Sequence, residues 1–221
     1  VFLVILRDRF FNRTEKEKSM AELTIATFLS LDGVMQAPGG PQEDPSGGFV
    51  HGGWMFPYVD SEFNQIVADN FARAGAFLLG RKTYDIFAAY WPKVTDPNDP
   101  IASKLNGLPK FVASKTRNTF EWKATTGIKD VVEEVPALKK RFDREIQVHG
   151  SGKLAQTLIQ NDLIDEYRLF AIPILLGIGK RLFDEGVVPC AYTLARSQTS
   201  PKGVVYSVYR RGGKVQTGSL G

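Results

Sequence analysis

The chain has 221 residues, of which 43% are hydrophobic and 11% aromatic, enough for one well-buried domain. Its formal net charge of +4 and pI near 9.1 come from a small surplus of lysine and arginine, with no basic stripe interleaved with aromatics, which argues against nucleic acid as a partner. A lone cysteine, Cys190, excludes an internal disulfide and suits a reducing, cytoplasmic compartment; with only His51 and His149 beside it, no metal cluster is expected.

Val1 to Leu6 is apolar but too short to span a bilayer, and it lacks the basic flank and cleavage site of a signal peptide. Arg7 to Ser19 is mostly polar, and Met20 stands just before the first convincing strand. Residues 1–19 therefore read as a non-native or disordered extension, with a docking helix using Phe10 and Phe11 as the rival. From Met20 onward the chain alternates strands and helices as one domain to about residue 211, and 212–221 reads as a frayed tail.

Leu23 to Leu29 is a β-rich run ended by Ser30-Leu31-Asp32-Gly33. A long loop, 36–53, follows with three prolines and six glycines; loops of this length are uncommon unless functional, and a lid is expected. Pro57 to Ala74 has helical spacing. Ala76 to Leu79 is a short apolar strand that exits through Gly80-Arg81-Lys82-Thr83 into a helix reaching Trp91-Pro92. The turn-rich segment 95–100 precedes a third strand, Lys110 to Ala113, with a polar, basic tip at Ser114-Lys115-Thr116-Arg117. A short strand is expected at Phe120 to Trp122, and a helix over 130–142 broken at Pro136.

Glu145 to Val148 then runs as a buried strand into His149-Gly150-Ser151-Gly152, which opens a helix with apolar residues at 154, 155, 158 and 159. Two glycines at such a turn let the backbone approach a ligand, and the free N–H groups of a helix start attract phosphate. Asp165 to Ile172 is the next strand, and 192–198 with 204–209 forms a terminal hairpin. The pattern predicts an α/β fold: a mostly parallel sheet covered on both faces, with an antiparallel hairpin edge. A dinucleotide-binding G-x-G-x-x-G is absent after the first strand. A P-loop fails because Gln147 stands where glycine is needed and Leu154 where Ser or Thr is needed.

Taken together, Ser30-Leu31-Asp32-Gly33, Gly80-Arg81-Lys82-Thr83, Ser114-Lys115-Thr116, Gly150-Ser151-Gly152-Lys153-Leu154 and Asp165-Glu166-Tyr167 with Leu176-Gly177-Ile178-Gly179 resemble, in this order, the dihydrofolate reductase-like fold. Within it the chain is similar to the stand-alone relatives of the reductase domain of bacterial riboflavin biosynthesis. The resemblance spans Met20 to about Arg211 and implies a three-layer sandwich, NADPH bound across the strand ends and a homodimer. It implies cofactor phosphates at Gly80, Arg81, Lys82 and Thr83, the adenosine 2′-phosphate at Ser114, Lys115 and Thr116, and the pyrophosphate at Gly150, Ser151, Gly152, Lys153 and Leu154. The activity implied is hydride transfer to a small heterocycle, pterin or pyrimidine-like, or to an imine.

Asp32 is the carboxylate nearest the implied nicotinamide pocket and a candidate for proton delivery; the competing reading, favoured by local chemistry, is a turn residue before Gly33. Trp54, Phe56 and Tyr58 offer a wall for a heteroaromatic substrate or simply pack. His149 stands where the riboflavin-pathway reductases commonly carry a substrate-contacting glutamate, which leaves the substrate open. Glu166 reads as structural. Asp60, Glu62 and Asp69 are the acidic residues available on the first helix. The competing class is a nucleotide-binding or regulatory protein of the same fold without chemistry.

Overall fold

The computed structural model describes residues 20–220; the expected extension, 1–19, lies outside them. Eight strands form one sheet: β1 (Leu23–Ser30), β2 (Ala76–Gly80), β3 (Lys110–Ala113), β4 (Thr125–Ile128), β5 (Ile146–Val148), β6 (Glu166–Ile172), β7 (Ala191–Thr199) and β8 (Val205–Gly213). Their order is β4-β3-β2-β5-β1-β6-β8-β7. β4 through β6 in that order run parallel, and β8 and β7 add the antiparallel edge. The fold class is the one the sequence implies.

Five helices cover the sheet: α1 (Ser61–Arg73), α2 (Arg81–Tyr90), α3 (Pro100–Gly107), α4 (Val131–Arg141) and α5 (Gly152–Gln160). The central strands are buried on both faces. On one face Leu23, Ile25, Leu78 and Ile146 pack with Val135 and Leu138 of α4 and Leu154 and Leu158 of α5. On the other, Phe77, Leu79 and Val112 pack with Phe71 of α1, Tyr84 of α2 and Leu105 of α3. Phe63 and Ile66 of α1 close over Phe170, Ile172 and Tyr206 beside the hairpin. Each such buried side chain contributes about 1.5–3 kcal/mol relative to exposure.

The structure corrects several expectations. α1 begins at Ser61, because the Asp60 carboxylate accepts from Phe63 N at 2.8 Å and a single 3₁₀ turn, Phe56–Tyr58, precedes it. α3 is an added helix, started by Asp99 as N-cap with Pro100 at its first position. Residues 120–122 are not a strand; Trp122 is buried beside Tyr84, and the Lys110 ammonium lies 4.5 Å from its ring centroid. The fourth strand is instead β4, a polar edge. Pro136 does not break α4: the carbonyl it leaves without a helical donor belongs to Val132, on the exposed side where water can serve it. β8 runs to Gly213, so the tail starts later than expected; Arg211 fixes that end by forking onto Asp162 with two bonds of 2.6 Å.

Candidate active site

Six parallel strands bring their carboxyl ends to one edge, and the turns leaving β1, β2, β3, β5 and β6 carry nearly all the candidate residues. α2 and α5 start there. Their N-termini differ from those of the other helices. Asp60, Asp99 and Asp130 cap α1, α3 and α4 through their carboxylates, whereas Gly80 and Ser151 give α2 and α5 no side-chain cap. The first N–H groups of these two helices remain open to an anion.

The two starts touch. Thr83 Oγ1 lies 3.0 Å from Ser151 Oγ, and a Cβ on Gly80 would fall 2.1 Å from that same oxygen. Gly80 is required here for close approach. Gly150 has φ +64°, a left-handed backbone that favours glycine, and its peptide with Ser151 is cis. Leu154 turns its side chain into the core, so only its backbone faces this turn. Gly152 opens α5 and Lys153 is exposed beside it.

Cations gather around the pair of turns. Arg81 bonds Asp85 at 3.1 Å, and Arg117 reaches the other oxygen of the same carboxylate while lying 5.0 Å from the Tyr84 ring centroid. Lys82 stands 3.6 Å from Asp44 of the long loop. Lys115 and Lys153 have no carboxylate partner among the described residues, and Ser114 Oγ accepts the Arg117 backbone N–H at 3.1 Å. Arg117, part of the basic tip read from the sequence but not assigned to the cofactor there, lies beside the same turns.

Asp32 is a clamp. Its carboxylate accepts from Ser30 Oγ at 2.7 Å, Leu176 N at 3.1 Å and Gly177 N at 2.9 Å, with Arg181 at 3.6 Å. The Ser30 hydroxyl first and then the Leu176 and Gly177 amides, against the cost of burial, hold its carboxyl down at about 2. It is ionised near neutrality and ties the turn after β1 to the segment after β6.

The aromatic candidates divide. Trp54 is buried with Phe49 and Met55 and donates Nε1–H to the Gln36 carbonyl at 2.8 Å, so it packs. Phe56 is 57% exposed, and Tyr58 is half-buried against the same cluster. His149 stacks on Phe71 with ring centroids 4.6 Å apart and planes at 13°. Burial, assisted by the nearby Arg168 and opposed by Glu145, lowers its pKa to about 4, so the ring is neutral. None of the acidic residues on α1 is free: Asp60 also takes the Lys202 N–H, Glu62 accepts from Gln198, and Asp69 accepts from Gln65.

The 36–53 loop, expected as a lid, is packed. The buried Gln36 side chain donates to the Asp44 and Ser46 carbonyls at 2.8 and 2.9 Å and accepts from Lys180 N at 3.0 Å. Phe49 and Ala37 of the loop itself are buried.

Residues 21–206 match the model of the RibD C-terminal domain. The chain belongs to the RibD C-terminal domain family. It is 30% identical over 191 residues to YyaP of Bacillus subtilis (strain 168), an uncharacterized protein, covering 84% of this chain and 92% of that one. It is 25% identical over 158 residues to YwjB of the same organism, covering 71% and 79%. Among solved structures, a Shewanella sp. PV-4 protein ascribed to riboflavin biosynthesis is similar at TM-score 0.61 and 22% identity, with 86% of this chain and 98% of that one covered. Dihydrofolate reductase of Enterococcus faecalis, solved with NADP(H), is similar at TM-score 0.57 and 14% identity, with 86% and 96% covered. At these identities the structures show the shared fold.

In this RibD C-terminal domain a buried polar chain runs from the strand ends into the sheet. Arg168, 1% exposed, is bonded to Glu145, Glu166 and Asn70. Glu166 is structural, as its place at a strand start suggests. Glu145, Gln147 and Arg168 carry no expectation from the sequence, although polar residues alternating along a buried strand are a readable signal. No helix among the described residues is long and apolar enough to cross a membrane.

Proposed function

We propose that this protein is an NADPH-dependent reductase of a small heterocyclic or imine substrate. The observation that carries the reading is the contact between two uncapped helix starts, Gly80–Thr83 and Gly150–Gly152, closed by the Thr83–Ser151 hydroxyl pair. A dinucleotide diphosphate fits that pair: two open sets of N–H groups, two hydroxyls and flanking cations. Family membership and the shared fold support the same reading.

In this arrangement Thr83 and Ser151 orient the diphosphate, and Lys153 adds charge beside it. Ser114, Lys115 and Thr116, with Arg81 and Arg117, receive the 2′-phosphate, which selects NADPH over NADH. When bound, the nicotinamide supplies a hydride. Asp32, held ionised, acts as a positioning residue for the turns on either side of the reaction centre, so the accompanying proton comes from water. His149 lies at the end of β5, against the expected heterocycle, with Phe56 at the rim. A homodimer belongs to the same reading; Leu194 on the edge strand β7 and Phe183 are 52% and 48% exposed and available to it.

One consideration favours the second reading, a nucleotide-binding protein without turnover: Asp32 is held ionised and His149 uncharged at neutral pH, so neither is a charged or protonated acid poised to protonate a substrate. Oxidation of NADPH, followed at its absorbance band against a panel of pterins, aminopyrimidines and cyclic imines, separates the two. Turnover with any member supports the reductase; binding without turnover across the panel favours the alternative.

A further inference from the structure

Glu145, Gln147 and His149 lie at alternate positions on and around β5 and so share the face of the sheet beneath α1. Glu166 and Arg168 lie on β6, with β1 between that strand and β5. Arg168 forks onto Glu145 through Nη1 at 2.7 Å and Nη2 at 2.6 Å, and its Nε reaches Glu166 at 2.6 Å. A guanidinium only donates, so both carboxylates are held as ions that only accept. The consequence passes along the strand.

An accepting Glu145 fixes the Gln147 amide. Its Nε2 must face Glu145, and the same nitrogen donates to the Asn70 carbonyl at 2.6 Å. Gln147 Oε1 is then the atom facing His149 Nε2, at 2.9 Å. A carbonyl oxygen accepts, so the proton of this neutral imidazole sits on Nε2. Nδ1 is left with its lone pair. No described residue donates to it, and it is not among the fully buried atoms lacking a partner, so it keeps some accessible surface. Stacking on Phe71 fixes the ring plane.

We propose that His149 is a specificity-determining residue whose Nδ1 accepts a hydrogen bond from an N–H or O–H donor on the bound heterocycle, and that Gln147, Glu145 and Arg168 are positioning residues that set its tautomer. The ligand's identity rests on the reductase reading, whereas the tautomer does not depend on it. A site with a fixed acceptor rejects rings that present a carbonyl, a bare ring nitrogen or a methyl group at that point, because the pair is then unmade or repulsive.

The test begins with ¹⁵N-histidine-labelled protein carrying His51→Gln, so that a single imidazole remains. Long-range proton–nitrogen correlations at pH 7 are expected to show one neutral species protonated on Nε2. A proton on Nδ1, or an average of both tautomers, overturns the positioning chain, and this requires no change within the chain itself. Gln147→Leu is expected to release the preference, giving both tautomers; an unchanged spectrum in the folded variant shows that Gln147 does not set it.

The second arm uses 4-aminopyrimidine and 4-methylpyrimidine, rings of one shape that differ in the N–H donor, added to the NADPH-treated protein. The amino compound is expected to bind about tenfold more tightly and to move the Nδ1 resonance. Equal affinities, or no binding of either, overturn the role in recognition. NADPH affinity measured on the same sample reports on the reductase reading separately: the expected tautomer without NADPH binding defeats that reading alone, and NADPH binding with the other tautomer defeats this one alone.

Discussion

Thr83 in the first turn of α2 and Ser151 at the start of α5 face each other through their hydroxyls at 3.0 Å. Two helices with three strands between them in the chain thereby present their open N–H groups to one space. The separation tolerates little change, because Gly80 lies directly behind Ser151.

Gly80→Ala is therefore expected to push Ser151 away and to weaken NADPH binding by at least about tenfold, with a stability loss of about 1–3 kcal/mol from the forced shift. Cofactor fluorescence titration and urea unfolding measure the two effects. Wild-type affinity in a folded Gly80→Ala protein contradicts the placement of the diphosphate.

The 2′-phosphate assignment predicts a selective loss. Lys115→Ala and Arg117→Ala are each expected to lower NADPH affinity by about tenfold while leaving NADH affinity nearly unchanged, since each removes a charge-assisted bond made only to the extra phosphate. Parallel titrations decide it. An equal loss for both nucleotides places these residues elsewhere on the cofactor.

Acid stability should report the Asp32 clamp. Its folded pKa of about 2 lies below the ordinary value of 3.8, so its contribution is present above about pH 4 and is lost as the pH falls toward 2. Asp32→Asn removes that part of the acid limb and should lower turnover with NADPH affinity near normal. Thermal melts between pH 2 and 7 follow the first effect. Full turnover in the Asp32→Asn protein leaves Asp32 as a turn residue alone.

The buried ion cluster predicts the largest single loss. Arg168→Met leaves Glu145 and Glu166 buried without their shared cation and should destabilise by about 3–5 kcal/mol. Combining it with Glu145→Gln and Glu166→Gln is expected to recover part of that. Urea midpoints compare them, and a near-neutral Arg168→Met contradicts the pairing.

What the sequence displays and what it hides follow from the same physics. The apolar runs of β2 and β3 and the glycine turns at 80 and 150 are local signals, and the turns they announce meet at one edge of the sheet. α3 is hidden because Asp99-Pro100 ends a turn and starts a helix with the same two residues. β4 is hidden because Thr125-Thr126-Gly127 is a polar edge whose pairing with β3 is visible only in three dimensions. The aromatics at 120 and 122 imitate a strand, yet Trp122 is held by a donor bond to Asn106 and by Tyr84. Glu145, Gln147, Arg168 and Asn70 come from three separate segments, and only their meeting shows that the Gln147 carbonyl oxygen faces His149 Nε2.

The long loop supplies a dynamic prediction. Gln36 and Phe49 already anchor 36–53, so NADPH should change hydrogen exchange mainly around Asp44, which gives up Lys82 to a phosphate while keeping Lys180. Protection rising across the whole loop would instead mark it as a lid that closes as a unit.

The central claim is that the two uncapped turns form an NADPH seat. Isothermal titration of the wild-type protein with NADPH and NADH, repeated with Gly80→Ala, tests it most directly. The expected result is binding that favours NADPH and is lost in the variant; absence of binding by either nucleotide contradicts it.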